Sequence, residues 1–234
     1  MLKINNIEAG YEGTTIIRNL SFSLQEGRIV AVVGSNGAGK TTLMKTIVGF
    51  IKPTAGEIIF LGQKIHGLPT HEIIKKGISV VPEGRQIFDR LTVKENLYVG
   101  AYPRIDKNEI DNDINKMYKM FPILEERMKQ KAGTFSGGQQ QILAIARGLM
   151  SKPKLLILDE PSLGLSPIAA MNILETIAKL RDEGLTILLV EQDVAAALNI
   201  ADQAIVIQNG KIALQGTGEE LISSDMVRKA YLGM

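Results

Sequence analysis

Glycines, a lysine and two threonines directly follow an apolar stretch early in the chain. The apolar stretch is 28–33, the next eight residues read GSNGAGKT, and a helical pattern covers 40–50. This loop matches the pattern G-x-x-x-x-G-K-[ST], in which glycines let successive backbone N–H groups point at one anion. The N-terminus of the following helix adds a partial positive charge at the same place. We predict a nucleoside triphosphate site formed by Gly34, Ser35, Asn36, Gly37, Ala38, Gly39, Lys40, Thr41 and Thr42.

Two carboxylates end a second apolar stretch, 155–158, and have the chemistry that a triphosphate site needs. The loop motif assigns the Lys40 ammonium to the β- and γ-phosphates and the Thr41 hydroxyl to Mg²⁺. We predict that Asp159 binds the metal ion through water. Glu160 is then placed to polarise the attacking water as a general base. The alternative is a strand that ends in two surface acids, and the phosphate-binding loop in the same chain argues against it.

A second anion-binding pattern lies in the middle of the chain, where Ser136, Gly137, Gly138 and Gln139 precede a helical pattern over 140–150. A serine hydroxyl, bare backbone N–H groups and a helix N-terminus together attract an anion. One chain needs only one triphosphate site. The second pattern is therefore predicted to close on the nucleotide of another subunit, although by itself it could be an ordinary helix cap.

Strand and helix patterns alternate around these motifs and predict an α/β core. The segment from about 92 to 150 is instead mostly helical in pattern and resembles an insertion. Its clearest helices are predicted at 106–120 and 138–150, and two more at 167–181 and 194–200. Further short strands are predicted around Leu2, Ile4 and Ile7 and at 20–24, 56–61, 78–81, 186–190, 204–207 and 211–214.

Taken together, the three motifs resemble those of ABC transporter nucleotide-binding subunits, and the resemblance covers essentially the whole chain. It implies a P-loop NTPase fold with a RecA-like α/β core, an N-terminal antiparallel β region and an inserted helical subdomain. The implied single domain spans 1–234, with the core at about 1–90 and 151–234 and the helical subdomain at about 91–150. The resemblance also implies an aromatic ring, Tyr11, stacked on adenine and Ile16 against the same base, although Tyr11 could be an ordinary half-buried tyrosine. It further implies a D-loop that crosses a dimer interface, formed by Ser162, Leu163, Gly164 and Leu165.

Two positions depart from the general pattern of that family. Glu83 stands where a glutamine is usual, and a carboxylate is a stronger ligand for Mg²⁺ than an amide. Gln192 stands where a histidine usually contacts the γ-phosphate, and its amide donates a hydrogen bond but does not titrate. We predict Glu83 as a metal ligand and Gln192 as a catalytic residue. The only histidines, His66 and His71, are expected on the solvated surface.

These departures, with the stretches VPEGRQIF, EPSLGLSP, LLVEQD and MVRKAYLG, resemble the F-type ATP-binding subunits of branched-chain amino acid importers. The resemblance implies ATP and Mg²⁺, a second ABC cassette, two transmembrane permease subunits and, indirectly, an external solute-binding protein. It places the chain at the cytoplasmic face of the plasma membrane. The segment with Arg85, Phe88 and Leu91 would lead to a groove for a cytoplasmic helix of a permease, with Phe88 either in that groove or in the core.

Composition agrees with such a role. The 234 residues include 27 Lys and Arg against 25 Asp and Glu, so no strong electric field attracts nucleic acid or anionic lipid. No cysteine is present, which excludes disulfides and thiolate chemistry. The N-terminus lacks the apolar segment of a signal peptide, and the longest apolar stretches have the length of strands. We expect other chains to provide the membrane part.

The sequence leaves other functions open. An importer for urea or another small polar solute would use the same ATP site, since the solute never touches this chain. A non-transport ABC ATPase acting on nucleic acid would usually carry a long coiled coil, but Ser136 lies only 96 positions after Lys40 and no heptads are sustained between them. A guanine-specific enzyme would need N-K-x-D, and residues 115–118 lack the final Asp.

Overall fold

The computed structural model describes residues 1–229. The stretch MVRKAYLG, used above for the resemblance, lies partly outside them, because positions 230–233 are not described. No helix within 1–229 is long and apolar enough to cross a bilayer.

Strands and helices alternate along the described chain. The strands are β1 (Leu2–Tyr11), β2 (Thr14–Leu24), β3 (Ile29–Val33), β4 (Ala55–Phe60), β5 (Gln63–Lys64), β6 (Ile78–Val81), β7 (Leu155–Asp159), β8 (Thr186–Glu191), β9 (Gln203–Gln208) and β10 (Lys211–Gly216). The α-helices are α1 (Lys40–Ile47), α2 (Thr70–Lys75), α3 (Val93–Gly100), α4 (Ile110–Met120), α5 (Pro122–Glu126), α6 (Gly137–Leu149), α7 (Pro167–Asp182), α8 (Val194–Ile200), α9 (Gly218–Ile222) and α10 (Asp225–Val227).

The central element is a six-stranded sheet with the order β10-β9-β3-β8-β7-β6. All neighbours from β9 to β6 are parallel, and β10 pairs antiparallel with β9. The carboxyl ends of parallel strands lie at one edge, which is where α/β proteins bind ligands. This edge brings together the loop after Val33 and the side chains that end β7 and β8, Asp159 and Glu191.

A second, antiparallel sheet has the order β2-β1-β4-β5 and packs with α1 against one face of the first. The apolar side chains of β3 alternate between the two faces. Val30 and Val32 belong to the cluster shared with the antiparallel sheet, whereas Ile29, Ala31 and Val33 belong to the cluster on the helical side. Burial on both faces explains why β3 is a continuous apolar stretch instead of an alternating one.

Helices α3 to α6 cover the helical side together with α7 and α8. Capping boxes at Thr92 and Ser136 start α3 and α6. An ion-pair network also holds α4, since Asp113 pairs with Arg104 and with Lys152, both at 2.7–2.8 Å. The predicted α/β fold with an antiparallel region is confirmed, while the proposed subdomain bounds stay a prediction.

Three local predictions differ from the structure. The helix predicted over 40–50 ends at Ile47, because Gly49 adopts a left-handed φ of 80°. The helix predicted over 106–120 starts with a 3₁₀ turn, and α4 begins only at Ile110. His66 is half-buried instead of solvated, since its Nδ1 accepts the Ile58 N–H at 3.2 Å, whereas His71 is exposed as expected.

Candidate nucleotide-binding site

The phosphate-binding loop, which joins β3 to α1, packs closely against the backbone of β9. A Cβ on Gly34 would lie 2.3 Å from the Ile207 carbonyl oxygen, so only glycine fits there. Gly39 precedes α1 with a φ of 110°, a conformation that favours glycine, and no side chain caps this helix. The first N–H groups of α1 therefore remain available for an anion.

The Lys40 side chain is folded back onto this loop and is almost completely buried. Its Nζ donates to the Gly34 carbonyl oxygen at 2.8 Å and to that of Ser35 at 3.4 Å. The same ammonium lies 3.3 Å from Oε1 of Glu160. The cation and the carboxylate predicted as the catalytic base thus neutralise each other in this arrangement.

Asp159 ends β7 as a buried carboxylate, with 3% of its surface exposed. Its Oδ1 has no hydrogen-bond partner within the described chain. Burial, together with the negative charges of Glu160 and Glu83, raises the pKa of Asp159 to about 6. A buried carboxylate with an unpartnered oxygen and two acidic neighbours favours a cation.

Glu160 adopts an unusual backbone conformation immediately after β7. Its φ is 46°, in the left-handed region, and its N–H donates to the Val190 carbonyl oxygen at 2.8 Å. A non-glycine residue there costs about 1–2 kcal/mol. That conformation directs the Glu160 side chain to Lys40 and turns the chain into residues 162–165.

An open cleft of about 480 Å³ lies beside the loop and collects most of the predicted site residues. Tyr11 is 46% exposed, Ile16 is half-buried and Gln192 is exposed, so all three can contact a ligand. Gly34, Ala38 and Asp159 lie behind the surface and do not line it. The lining consists of Tyr11, Ile16, Ser35, Asn36, Gly37, Gly39, Lys40, Thr41, Thr42, Glu83, Glu160, Leu163 and Gln192.

The second anion-binding pattern is not part of this cleft. Ser136, Gly137, Gly138 and Gln139 are absent from its lining. Ser136 caps α6, with its Oγ accepting the Gln139 N–H at 3.4 Å and its own N–H donating to Oε1 of Gln139 at 3.1 Å. The structure thus contains the helix cap that the sequence allowed, and a role toward another subunit's nucleotide stays a prediction.

Glu191 is a buried residue that sequence reasoning missed. It ends β8 with 1% of its surface exposed. Its Oε1 accepts the Ser162 N–H at 3.0 Å and its Oε2 accepts the Gln192 N–H at 3.1 Å. Burial raises its pKa. The available signal was an acid that ends an apolar strand, the same pattern that identified Asp159.

Comparison with known proteins agrees with this geometry. Residues 17–163 match the ABC transporter family. The chain is 47% identical to the high-affinity branched-chain amino acid transport ATP-binding protein BraG of Pseudomonas aeruginosa, over 100% of both chains. It is 42% identical to the probable branched-chain amino acid transport ATP-binding protein LivF of Archaeoglobus fulgidus, over 100% of this chain and 99% of that one. A solved nucleotide-free ATP-binding cassette from an ABC transporter is 28% identical with a TM-score of 0.87, over 97% of this chain and 96% of that one.

Proposed function

Because the chain belongs to the ABC transporter family, we propose that it is the ATP-binding and ATP-hydrolysing subunit of an importer for branched-chain amino acids. One observation carries the choice of solute: the identity of 47% to BraG, which extends over the full length of both chains. A likeness confined to the ATP site would support an ATPase only, whereas this likeness covers the whole chain.

ATP binding follows from the cleft beside the phosphate-binding loop. The exposed Tyr11 ring provides a face for adenine, and Ile16 packs beside it. The phosphates lie on the free N–H groups at the start of α1, where Lys40 is already anchored. A γ-phosphate would replace Glu160 as the charged partner of Lys40, and Glu160 would become free to accept a proton from water.

The residues present also fit Mg²⁺. The unpartnered, buried Oδ1 of Asp159 is the observation that supports it. Among the described residues no three His, Cys, Asp or Glu side chains form a complete metal site, as is usual for Mg²⁺, which keeps water and phosphate oxygens as ligands. Asp159, Thr41 and Glu83 would hold the ion, whose charge would stabilise the transferring phosphoryl group. Gln192, exposed at the rim, would hydrogen-bond the γ-phosphate.

A second cassette would complete the catalytic site. Two features support this part of the proposal: the anion-binding start of α6 lies outside the chain's own cleft, and Leu163 of the D-loop is 47% exposed beside that cleft. In a dimer, Ser136, Gly137 and Gly138 would close on the partner's nucleotide.

Each of the two permease subunits would bind one cassette. In this chain it would bind a groove of about 610 Å³ that is separate from the nucleotide cleft and lies between the core and the helical segment. Its lining includes Phe50, Val99 and Tyr102, which are exposed in this chain, with Tyr102 at 89%. Phe88 is also exposed, so it is not a core residue, but it does not line this groove; the Arg147 guanidinium lies 5.3 Å from the centre of its ring. A short cytoplasmic helix with apolar side chains would cover Phe50, Val99 and Tyr102. The external binding protein would act through the permeases, and the chain would lie at the cytoplasmic face.

The test is transport by a reconstituted complex. The chain is co-purified from native membranes with its companions, placed in liposomes, and assayed for uptake of labelled leucine and of labelled urea. We expect ATP-dependent leucine uptake that Lys40→Ala abolishes. Uptake of urea but not leucine would replace the proposed solute, and companions that bind nucleic acid in place of permeases would reject the transport function.

A further inference from the structure

Residues 162–165 are held at their first residue by a buried carboxylate. Glu191 accepts the Ser162 N–H through one oxygen and the Gln192 N–H through the other. A turn follows, in which the Leu165 N–H donates to the Ser162 carbonyl oxygen at 3.3 Å. Glu191 thus joins the start of the D-loop to Gln192 through a single side chain.

The other end of the same segment meets a cation. Nη2 of Arg85 lies 3.5 Å from the Gly164 carbonyl oxygen, and Nη1 lies 3.4 Å from Oε1 of Gln140 on α6. A Cβ on Gly137 would lie 3.1 Å from Nη2, so the guanidinium also lies against the start of α6. Arg85 follows Glu83 by two positions and connects the segment of Glu83 to the D-loop.

The backbone around Arg85 is itself constrained. Arg85 and Gln86 both have left-handed φ values, 65° and 42°. Arg147 stabilises this conformation, since its Nη1 donates to the Gln86 carbonyl oxygen at 2.8 Å. Such strain is kept where the surrounding structure fixes it, and it clusters at functional positions.

We propose that Glu191 and Arg85 are a pair of positioning residues that fix the D-loop, residues 162–165, to the two segments that carry Gln192 and Glu83. The proposal rests on the proposed function, in which Gln192 meets the γ-phosphate, Glu83 holds Mg²⁺ and the D-loop meets the partner cassette. A shift of either segment on ATP binding would then move the surface that the partner cassette contacts. Neither Glu191 nor Arg85 lines the nucleotide cleft, so the pair acts through other residues and does not touch the substrate.

Chemistry distinguishes Glu191 from a side chain that only fills space. A carboxylate accepts through both oxygens, whereas a glutamine of the same shape has one acceptor and one donor group. Glu191→Gln would therefore leave one of the two backbone N–H groups facing another donor. Hydrogen bonds to a charged group are the stronger kind, so we expect kcat to fall about tenfold or more. The KM for ATP should stay within about twofold, because Glu191 bonds Ser162 and Gln192 and not Tyr11 or Lys40, which hold adenine and the phosphates in the proposed function.

Kinetics of the assembled complex give the first measurement. The matched control is Asp202→Asn, since Asp202 also accepts a backbone N–H, that of Ile29 at 2.8 Å, but lies away from the D-loop. We expect this control to lower the melting temperature and to keep kcat. A loss of thermal stability in Glu191→Gln with kcat unchanged would overturn the proposal, because Glu191 would then be a structural residue only.

A spin label gives a second measurement that needs no ATPase activity. The chain has no cysteine, so Leu163→Cys can be labelled alone in the full-length, nucleotide-free protein. We expect Arg85→Ala to increase the mobility of the label, with the exposed Arg90→Ala as control. Arg85 is only half-buried, so this variant should fold even if Glu191→Gln does not. An unchanged spectrum in Arg85→Ala would overturn the proposal that Glu191 and Arg85 position the D-loop. If the spectra change as expected but the wild-type complex has no ATPase activity, only the proposed function would be rejected.

Discussion

Replacing Asp159 by Asn should stabilise the nucleotide-free, metal-free cassette while removing its activity. Asp159 is buried at the end of β7, its Oδ1 is unpartnered, and Glu160 and Glu83 add negative charge nearby. The folded chain therefore holds an ionised group where ionisation is unfavourable. An amide of the same size removes that charge and leaves the packing intact.

The magnitude follows from the pKa. The pKa of Asp159 is about 6 in the folded chain against 3.8 for an ordinary aspartate. An acid whose pKa is higher in the folded chain than in the unfolded chain destabilises the fold at pH values above both pKa values. A difference of about two pKa units lowers the free energy of unfolding by about 3 kcal/mol near pH 8. At about pH 4.5 the same linkage leaves only about 1 kcal/mol. For a chain of this size, Asp159→Asn should raise the melting temperature by about 6–12 °C near pH 8.

Calorimetry in the presence of a chelator measures this gain, because the chain has no tryptophan to report unfolding by fluorescence. The difference between variant and wild type should shrink as the pH falls from about 8 to about 4.5. Asp202→Asn is the control with the opposite sign, since Ile29, Arg28 and Arg181 lower the pKa of Asp202 despite its burial. If the melting temperature does not rise near pH 8, or rises equally at both pH values, the ionised Asp159 carboxylate does not destabilise the fold and the reasoning is wrong.

Four further outcomes test the site. Glu160→Gln should keep ATP binding, lose about 10²–10⁴-fold of the hydrolysis rate and accumulate an ATP-bound dimer; undiminished steady-state ATPase would exclude it as the base. Lys40→Ala should weaken binding of ATP more than of ADP in titrations, and equal losses would contradict its placement at the γ-phosphate. Glu83→Gln should raise the Mg²⁺ concentration for half-maximal ATPase, whereas an unchanged dependence would leave it a coupling residue. Gln192→His should speed ATP hydrolysis by the lone chain, because a charge-assisted hydrogen bond to the γ-phosphate is about twice as strong as a neutral one. The chain should therefore work best beside a different cassette that carries histidine at this position; a lone wild-type chain that matches this mixed dimer per site, with no gain from Gln192→His, would contradict that.

The sequence predicted those parts of the fold that depend on neighbouring residues, such as an apolar stretch or a glycine. The apolar stretch of β3 and the glycines after it fixed a strand, a loop and a helix in the correct order. Boundaries were less predictable, because apolar residues continue at helical spacing beyond Gly49, whose left-handed turn already ends α1. The half-buried environment of His66 was also hidden, since it depends on a hydrogen bond to β4, a pairing partner that spacing alone does not identify.

In the cleft, too, residues within local motifs were predictable, whereas contacts between residues distant in the sequence were not. The loop motif placed Lys40 at the nucleotide site and the family resemblance placed Glu83 there, and both residues line the cleft. The ion pair between Lys40 and Glu160 was not predictable, since it joins residues far apart in the sequence through the register of β3, β8 and β7. Glu191 was missed for the same reason, because its two hydrogen-bond partners are set by the ends of neighbouring strands.

The order of strands in the central sheet has a consequence for the synthesis of the chain. Each residue of β3 pairs with a residue of β8 that is made 158 positions later, such as Ile29 with Ile187, and its other neighbour, β9, is made later still. The strand leaves the ribosome as an apolar segment with neither edge paired, a state that favours aggregation. Closing so long a loop before any pairing is gained is also slow. A product that ends before β8 contains the complete phosphate-binding motif but lacks both neighbours of β3, so we expect ATP to bind, and to stabilise the fold, only after β8 and β9 are made.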